Sequence, residues 1–570
     1  LSTAELSEVP IEPVNVLHQH CGPDVDWSRV NTAESIVGVQ TPLSWSFWDE
    51  GGEQGFRLAY CEMGLLPSEE LVIPPRVDDQ FTALFYGRGA TNVSAFRRAL
   101  DGLPFAATDA AEASFFSSHS DARREGASRA RRASASVRLP IAAMRLPGRL
   151  GRMRERSRRA WEASLAELPG ADLLRAHHRF THALPRFSDE IAAQIVASTI
   201  ATILFGRLQA LAARVGQSER ANELLGGFGE MEEVRTSADL WSVAHGRLPF
   251  ETFLARHGFR GPADGELSNH VWREDPKPVE ILLAPYRALS EERRPDRAES
   301  IGAAARERAT ADLLAALSGR ERLAARALLA LGRRYIPLRV VAKAAFQQTF
   351  DVARAAARRI GLLHAEAGRI TDPEDVFYLT RHELLEPPYG AREIVAARRA
   401  LRTRYAKLDL PVEFRGMPQP FEIAMAAGAS RETEDEASAG APRHDASDGE
   451  RPRGGHGDVV GRDRDGPITG LGVSAGIVEG AVRLVHEPGD DELLAGEILV
   501  CRTTDPSWSA YFMLAAAVVI DIGGPLSHGA IVARELGIPC VINTGDGTRR
   551  LRTGDKIRVD GGAGRVERIS

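Results

Sequence analysis

Hydrophobic and polar positions fall into four regimes along this 570-residue chain. Residues 1–110 mix Pro, Trp and Gly with short apolar segments, a pattern that predicts an irregular α/β lobe with buried tryptophans. Residues 111–425 are dominated by helical periodicity. Long Ala- and Leu-rich helices are predicted over 160–230. The longest helical tract, rich in Ala and Arg with leucines at heptad-like spacing, is predicted over 300–365. Residues 430–466 lose the pattern: between Arg431 and Asp458 there is no Val, Ile, Leu, Met or aromatic side chain. Such a stretch cannot offset its ordering entropy by burial and reads as a flexible linker. Within 467–570, short apolar runs such as Ile477–Val485 and Val518–Ile520 read as strands.

The chain is organised around Val518–Val541. Val518, Val519 and Ile520 end a β-branched run fit for a buried strand, and Gly523-Gly524-Pro525 breaks it, leaving a loop that can come close to a ligand. Ser527 is a good N-cap for His528–Leu536, where Ile531, Val532 and Leu536 repeat at helical spacing and Gly537 followed by Pro539 ends the helix. His528 therefore falls in the first helical turn. Free N–H groups and the positive end of the helix dipole there favour phosphate oxygens and a neutral, nucleophilic ring. On geometry alone two readings stand side by side: a nucleophile that carries a phosphoryl group, and a histidine that caps a helix.

The run Gly523-Gly524-x-x-Ser527-His528-x-Ala530-Ile531-x-Ala533-Arg534 resembles the phosphohistidine signature of the swivelling domain in PEP-utilising enzymes, the family of pyruvate phosphate dikinase, phosphoenolpyruvate synthase and rifampicin phosphotransferase. Its flanks resemble that domain too: Gly496–Val500, Thr504-Asp505-Pro506-Ser507-Trp508, and Gly554–Gly561. The resemblance covers residues 467–570. Leu526 departs from it, standing where the dikinases usually carry Thr, and so bears on a hydroxyl at that place. The resemblance implies a multidomain protein: a largely α-helical central domain followed by a C-terminal α/β (β/β/α) swivelling domain. His528 would be the phosphorylated nucleophile, and Gly523, Gly524 and Ser527 its phosphate loop. A tether at 430–466 would let that domain swing between sites.

Earlier segments resemble the acceptor-binding part of rifampicin phosphotransferase-like proteins. These are Trp27-Ser-Arg-x-Asn31-x-Ala33-Glu34 and Gly38–Ser46. The stretch from Phe253 through Arg256-His257-Gly258-Phe-Arg260-Gly261-Pro262 to Trp272–Pro276 reads as a loop from its Gly, Pro and Asp content. It resembles an arginine- and histidine-bearing turn of the same part, which makes His257 and Arg260 candidate acceptor-side groups. Packing of a turn explains the two equally well. In Tyr335-Ile-Pro337-Leu-Arg339-Val-Val-Ala-Lys343, Pro337 sets the first turn of a helix, so Arg339 and Lys343 share one face and can clamp one anion. The pair resembles the Arg-x-x-x-Lys of those enzymes, and Gly368–Thr380 resembles their next segment.

Composition narrows the classes. A net charge of −6 and a pI near 6.3 give no global pull toward nucleic acid or anionic membrane. The thirteen arginines between Arg123 and Arg159 are the local exception. With little aromatic interleaving they read as a solvated helical face or a docking surface. Cys21, Cys61, Cys501 and Cys540 form no CxxC pair, which fits a reducing cytosol and speaks against a disulfide framework or zinc site. His178 and His182 are one turn apart but lack an HExxH context, so no metal site is expected. The N-terminal LSTAELSEVPIEP has no secretory pattern. Ile191–Gly206, the longest uncharged apolar run, is too short to span a bilayer and reads as a buried helix, so a cytoplasmic location is expected. Gly472-Val-Ser474-Ala-Gly476 matches GxSxG, but a strand rather than a helix follows, which excludes a hydrolase elbow.

No P-loop, no ATP-grasp signature and no run of strand–helix repeats for a PEP-binding barrel is legible. The expectation is therefore a phosphotransferase component. His528 would relay a phosphoryl group from Mg-ATP on a separate ATP-grasp protein, or from PEP, to a small-molecule acceptor in the helical domain. The alternative is a non-catalytic interaction protein that keeps the fold.

Overall fold

The computed structural model describes residues 15–30, 32, 35–103, 128–217, 223–228, 232–291, 294–423, 466–489, 493–525 and 527–569. Residues 1–13, Asn31, Glu34, Leu526 and the linker expected over Arg431–Asp458 lie outside the described residues.

The first lobe is built on helix α1 (Pro42–Glu62), started by Pro42 and by the Thr41 hydroxyl, which accepts the Ser44 N–H. Beside it lies an antiparallel sheet of β1 (Asp26–Ser28), β2 (Thr82–Phe85), β3 (Arg88–Asn92) and β4 (Glu413–Arg415), in the order β2-β3-β1-β4. Its edge strand β4 comes from beyond the helical region, so one sheet ties the two ends of that region together. Trp27 is 1% exposed and meets Phe85 edge to face at 5.0 Å, which bears out the buried tryptophans expected here. Helix α2 (Val93–Leu100) follows, capped by Asn92.

The central region consists of α3 (Arg129–Glu167), α4 (Leu173–Arg214), α5 (Glu232–Ala244), α6 (Phe250–His257), α7 (Pro295–Ala316), α8 (Gly319–Tyr335), α9 (Leu338–Glu366) and α10 (Ala391–Ala406). The tract expected over 300–365 is not one helix. It breaks at Leu317-Ser318 and again at Ile336-Pro337, where the proline has no N–H to continue the ladder. Among the described residues the longest helix is instead α4, at 42 residues. Its apolar window is long enough to cross a membrane, but 72% of that window is buried within the fold, so it serves as a core helix. Phe187 of α4 packs with Phe346 and Phe350 of α9 and with Phe47 and Trp48 of α1. From Arg129 onward the arginine-rich stretch forms α3. It buries Ala142, Leu146, Leu150, Met153 and Trp161 and turns Arg154, Arg156, Arg158 and Arg159 to solvent.

The C-terminal domain has one eight-stranded sheet, in the order β5-β12-β11-β7-β8-β9-β10-β6. In chain order the strands are β5 (Ile468–Thr469), β6 (Leu471–Ser474), β7 (Ile477–Leu484), β8 (Ile498–Cys501), β9 (Ala517–Ile520), β10 (Cys540–Ile542), β11 (Lys556–Asp560) and β12 (Arg565–Arg568). The four central strands β7 to β10 run parallel. The strand β7 directly after Gly476 removes the strand–turn–helix that a nucleophile elbow needs. Helix α11 (His528–Leu536) crosses from β9 to β10. This domain is docked on the helical body through a shared core. Trp241, Phe253, Trp272 and Tyr286 from the body belong to the same buried cluster as Trp508, Tyr511, Phe512 and Met513. Tyr286 Oη donates to the Ala510 carbonyl at 2.8 Å, and Ser237 Oγ donates to the Ser509 carbonyl at 3.1 Å.

Candidate active site

His528 is the first residue of α11, just past the carboxyl end of β9, where open parallel sheets place their ligands. The Ser527 hydroxyl accepts the Ala530 N–H at 3.3 Å, and the Ser527 N–H donates to the Gly524 carbonyl at 2.9 Å. Arg534 Nη2 donates to the Pro525 carbonyl at 2.6 Å and pins the Gly523-Gly524 loop from the far end of the helix. Gly537 closes the helix at φ 66°, as its C-terminal position requires. Gly529 has no room for a side chain, because a Cβ there would stand 2.4 Å from Ile520 Cδ1 and 2.8 Å from Thr504 Oγ1. This close fit fixes the first turn of α11, where His528 stands.

His528 is 5% exposed, and its Nε2 lies 3.4 Å from Ser509 Oγ. Burial first, then Lys343, Arg260 and Arg339 in that order, push its pKa well below the usual 6.5. The imidazole is therefore neutral at physiological pH and keeps a lone pair for attack.

The cations come from two elements. Pro337 stands at the start of α9, as expected, and places Arg339 and Lys343 one turn apart. Both line one cavity with His528. Arg339 Nε donates to Ser198 Oγ of α4 at 3.1 Å. Arg260 sits on the segment after α6 and is 1% exposed. That segment is anchored by Arg273, which grips Asp351 of α9 with hydrogen bonds of 2.8 and 2.7 Å. The Arg260 guanidinium stacks over Phe259 at 5.3 Å, and its Nε and Nη1 have no hydrogen-bond partner among the described residues. A buried, under-paired arginine beside a neutral histidine is an arrangement that an arriving phosphoryl group completes.

His257 is placed differently. The loop expected from Phe253 begins only after His257, which ends α6. Its Nε2 lies 2.9 Å from Asp239 Oδ2 and its Nδ1 lies 3.2 Å from Thr236 Oγ1. It is not among the cavity-lining residues. The arrangement thus brings His528, Arg339, Lys343 and Arg260 together and leaves His257 in a structural pair. The His178 and His182 rings lie 4.0 Å apart on α4, tilted by 42°, and among the described residues no His, Cys, Asp or Glu group is placed to hold a metal ion.

The cavity holds about 180 Å³ between α1, α4, α9 and α11. Trp48, Phe56, Phe96 and Phe346 give it apolar walls, and Arg339, Lys343 and His528 form one polar side. Residues that sequence reasoning did not single out also belong here: Ser509 against the histidine ring, Gln194 and Ser198 on the wall, and the carboxyl pair Asp264 and Asp505. Both carboxyls have raised pKa values, chiefly from burial, and each Asp505 oxygen is held, by Ser507 and by the Ala263 N–H. Asp505 lies in a motif already noted. No local signal could have put Asp264 beside it.

Two family models match the chain. Residues 493–564 match the PEP-utilising enzyme mobile domain, and residues 208–339 match the rifampicin phosphotransferase fourth domain. The chain is 33% identical over 332 residues to a rifampicin phosphotransferase of Streptomyces sp, covering 57% of this chain and 35% of that protein. It is 30% identical over 357 residues to the rifampicin phosphotransferase of Streptomyces sviceus, covering 61% and 37%. An uncharacterized protein of Mycobacterium tuberculosis is 34% identical over 244 residues, covering 43% and 25%. The matches thus span about a quarter to a little over a third of the length of these curated relatives.

Proposed function

We propose that this chain, with its PEP-utilising enzyme mobile domain, is the phosphohistidine and acceptor part of a phosphotransferase. His528 takes a phosphoryl group from a donor bound elsewhere, Mg-ATP on an ATP-grasp module or PEP, and passes it to a hydroxyl of a small molecule held by the helical body. The observation that carries this reading is that a buried, neutral histidine at a helix N-terminus opens on a cavity beside Arg339 and Lys343.

In the loading step the lone pair of a His528 ring nitrogen attacks the donor phosphorus and the donor's bridging bond breaks. In the delivery step the acceptor oxygen forms the new P–O bond as the N–P bond breaks. The ring nitrogen that loses phosphorus recovers its electron pair, and the acceptor's hydroxyl proton ends on the imidazole. Charge on the equatorial oxygens of a loose, in-line transition state is met by Arg260, Arg339 and Lys343. The apolar walls exclude water, which would otherwise compete as acceptor.

Intact-mass measurement of the chain incubated with a candidate donor and its donor-binding protein tests the reading. An acid-labile, alkali-stable phosphoryl adduct is expected on wild type and absent from His528→Ala. An adduct that persists in the alanine variant overturns the assignment.

A further inference from the structure

We propose that the acceptor is a compact aromatic alcohol or phenol of one or two rings, bound with its hydroxyl toward His528. This rests on the phosphotransfer reading above for the fate of the hydroxyl, and on the cavity alone for the class of molecule.

Size sets the first bound. A space of about 180 Å³ is close to the engineered apolar cavity of ~150 Å³ that takes up benzene, and lies below the roughly 300–1,000 Å³ of sites for drug-sized ligands. A macrocyclic antibiotic such as rifampicin is far larger than this space. The walls set the second. Trp48 is fixed by its Nε1 hydrogen bond to the Gly265 carbonyl at 2.9 Å, and Phe56 meets Phe96 edge to face at 5.3 Å. With Ile191, Ile195 and Phe346 they form a preorganised apolar box suited to the flat face of a ring. Thr32, Ser35, Thr82, Thr91 and Ser198 also line the cavity, but its wall is mostly apolar, so the many hydroxyls of a sugar or polyol find fewer partners there than in water.

Polar chemistry on the wall selects the functional group. Gln194 Oε1 is buried and accepts no hydrogen bond among the described residues. One ligand O–H satisfies it, and holds that oxygen on the side of the cavity that Arg339, Lys343 and His528 line. When phosphoryl transfer occurs, the O–H bond breaks, the O–P bond forms, and the proton passes to the ring nitrogen that phosphorus leaves. Among the described residues, Arg339 and Lys343 are the only Lys or Arg side chains lining the cavity. Both belong to the phosphoryl side, so an acceptor with a second anionic group finds no partner there.

The test uses calorimetric titration of the full chain with phenol, benzene, 2-naphthol, glucose and rifampicin, in wild type, His528→Ala, Gln194→Leu and Ile195→Trp. Saturable binding of phenol or 2-naphthol is expected, retained in His528→Ala and weakened at least tenfold in Ile195→Trp, which fills the box. Gln194→Leu keeps the apolar volume, so it separates loss of the hydrogen bond from misfolding and is expected to weaken phenol more than benzene. Binding of glucose or rifampicin in preference to the phenols overturns the proposal, as does phenol binding indifferent to Ile195→Trp. Phenol binding to a chain whose His528 never accepts phosphate would instead sink the phosphotransfer reading and leave the ligand class standing.

Discussion

The main-chain N–H of Ala263, on the helical body, donates to Asp505 Oδ2 of the C-terminal domain at 3.1 Å, across 242 residues of sequence. This contact latches the domain that carries His528. It also buries Asp505 beside Asp264, and each carboxyl is pushed up from 3.8 chiefly by burial, with Asp505 itself adding to the rise at Asp264. Lys343 opposes the rise at both, Arg354 and Arg260 at Asp264, and Gln347 Nε2 donates to Asp264 Oδ2.

Docking is therefore expected to weaken as pH rises. A carboxyl whose pKa is higher docked than free favours the docked state fully below about 3.8 and loses that contribution as pH climbs through the raised value. Fluorescence transfer between a dye on the exposed face of α3 and one on the C-terminal domain should report a falling docked fraction from pH 5 to 8. Asp264→Asn should flatten the profile. A docked fraction that increases with pH would contradict the latch.

Asp351 accepts from Trp161 Nε1, from Nε and Nη2 of Arg273, and from Nη1 of Arg354, at 0% exposure. Asp351→Ala leaves buried guanidinium groups without their counter-charge, and is expected to cost about 3–5 kcal/mol. Denaturant unfolding monitored by Trp fluorescence measures it. A loss under ~1 kcal/mol, the scale of an exposed pair, would show that water replaces the carboxylate.

Gly529→Ala is expected to destabilise the C-terminal domain by about 1–3 kcal/mol through overpacking against Ile520 and Thr504, and to lower the rate of His528 phosphorylation. Thermal unfolding and phosphorylation rate can be read on the same samples. Full retention of both would mean that the helix start shifts at little cost.

Arg260 and His257, three residues apart, should respond differently. Arg260→Gln is expected to slow delivery of the phosphoryl group by about 10²-fold, the scale of losing one donor to developing charge. His257→Gln, which disturbs the contacts with Asp239 and Thr236, is expected to lower melting temperature while leaving the delivery rate of folded protein nearly intact. Equal rate losses would place both in the transition-state cradle.

What was legible in the chain is what local rules decide. The limits of α11 follow from Ser527 at one end and Gly537 at the other, and the start of α9 follows from Pro337. The tract from 300 to 365 shows the limit of composition, since Ala and Arg hide a break at Ser318 that only the geometry reveals. Phe253–His257 looked like loop because the glycines and prolines after it weigh on a short window, yet Phe253 is fully buried and draws α6 onto Trp272. The cavity was not legible at all. Its walls come from residues 32 to 531, and only tertiary packing brings Trp48, Gln194 and Phe346 to face His528.

Arg339 and Lys343 carry the sharpest expectation. Both cations share the face of α9 that lines the cavity with His528. A phosphoryl group leaving histidine spreads charge over oxygens that such a pair holds better in the transition state than in the ground state. Alanine at either position should therefore slow transfer from pre-phosphorylated His528 to the acceptor by about 10²-fold or more. Loading is expected to change little if, as proposed, the donor is held at another site that the C-terminal domain must leave this one to reach. The same substitutions remove positive charge that disfavours the imidazolium, so the pKa of His528 should rise in each variant toward its ordinary 6.5, with burial still holding it below. Single-turnover kinetics separate delivery from loading, and histidine-selective NMR titration reads the ring. Equal loss in both half-reactions, with an unmoved His528 titration, would return the pair to the role of solvated helix charges.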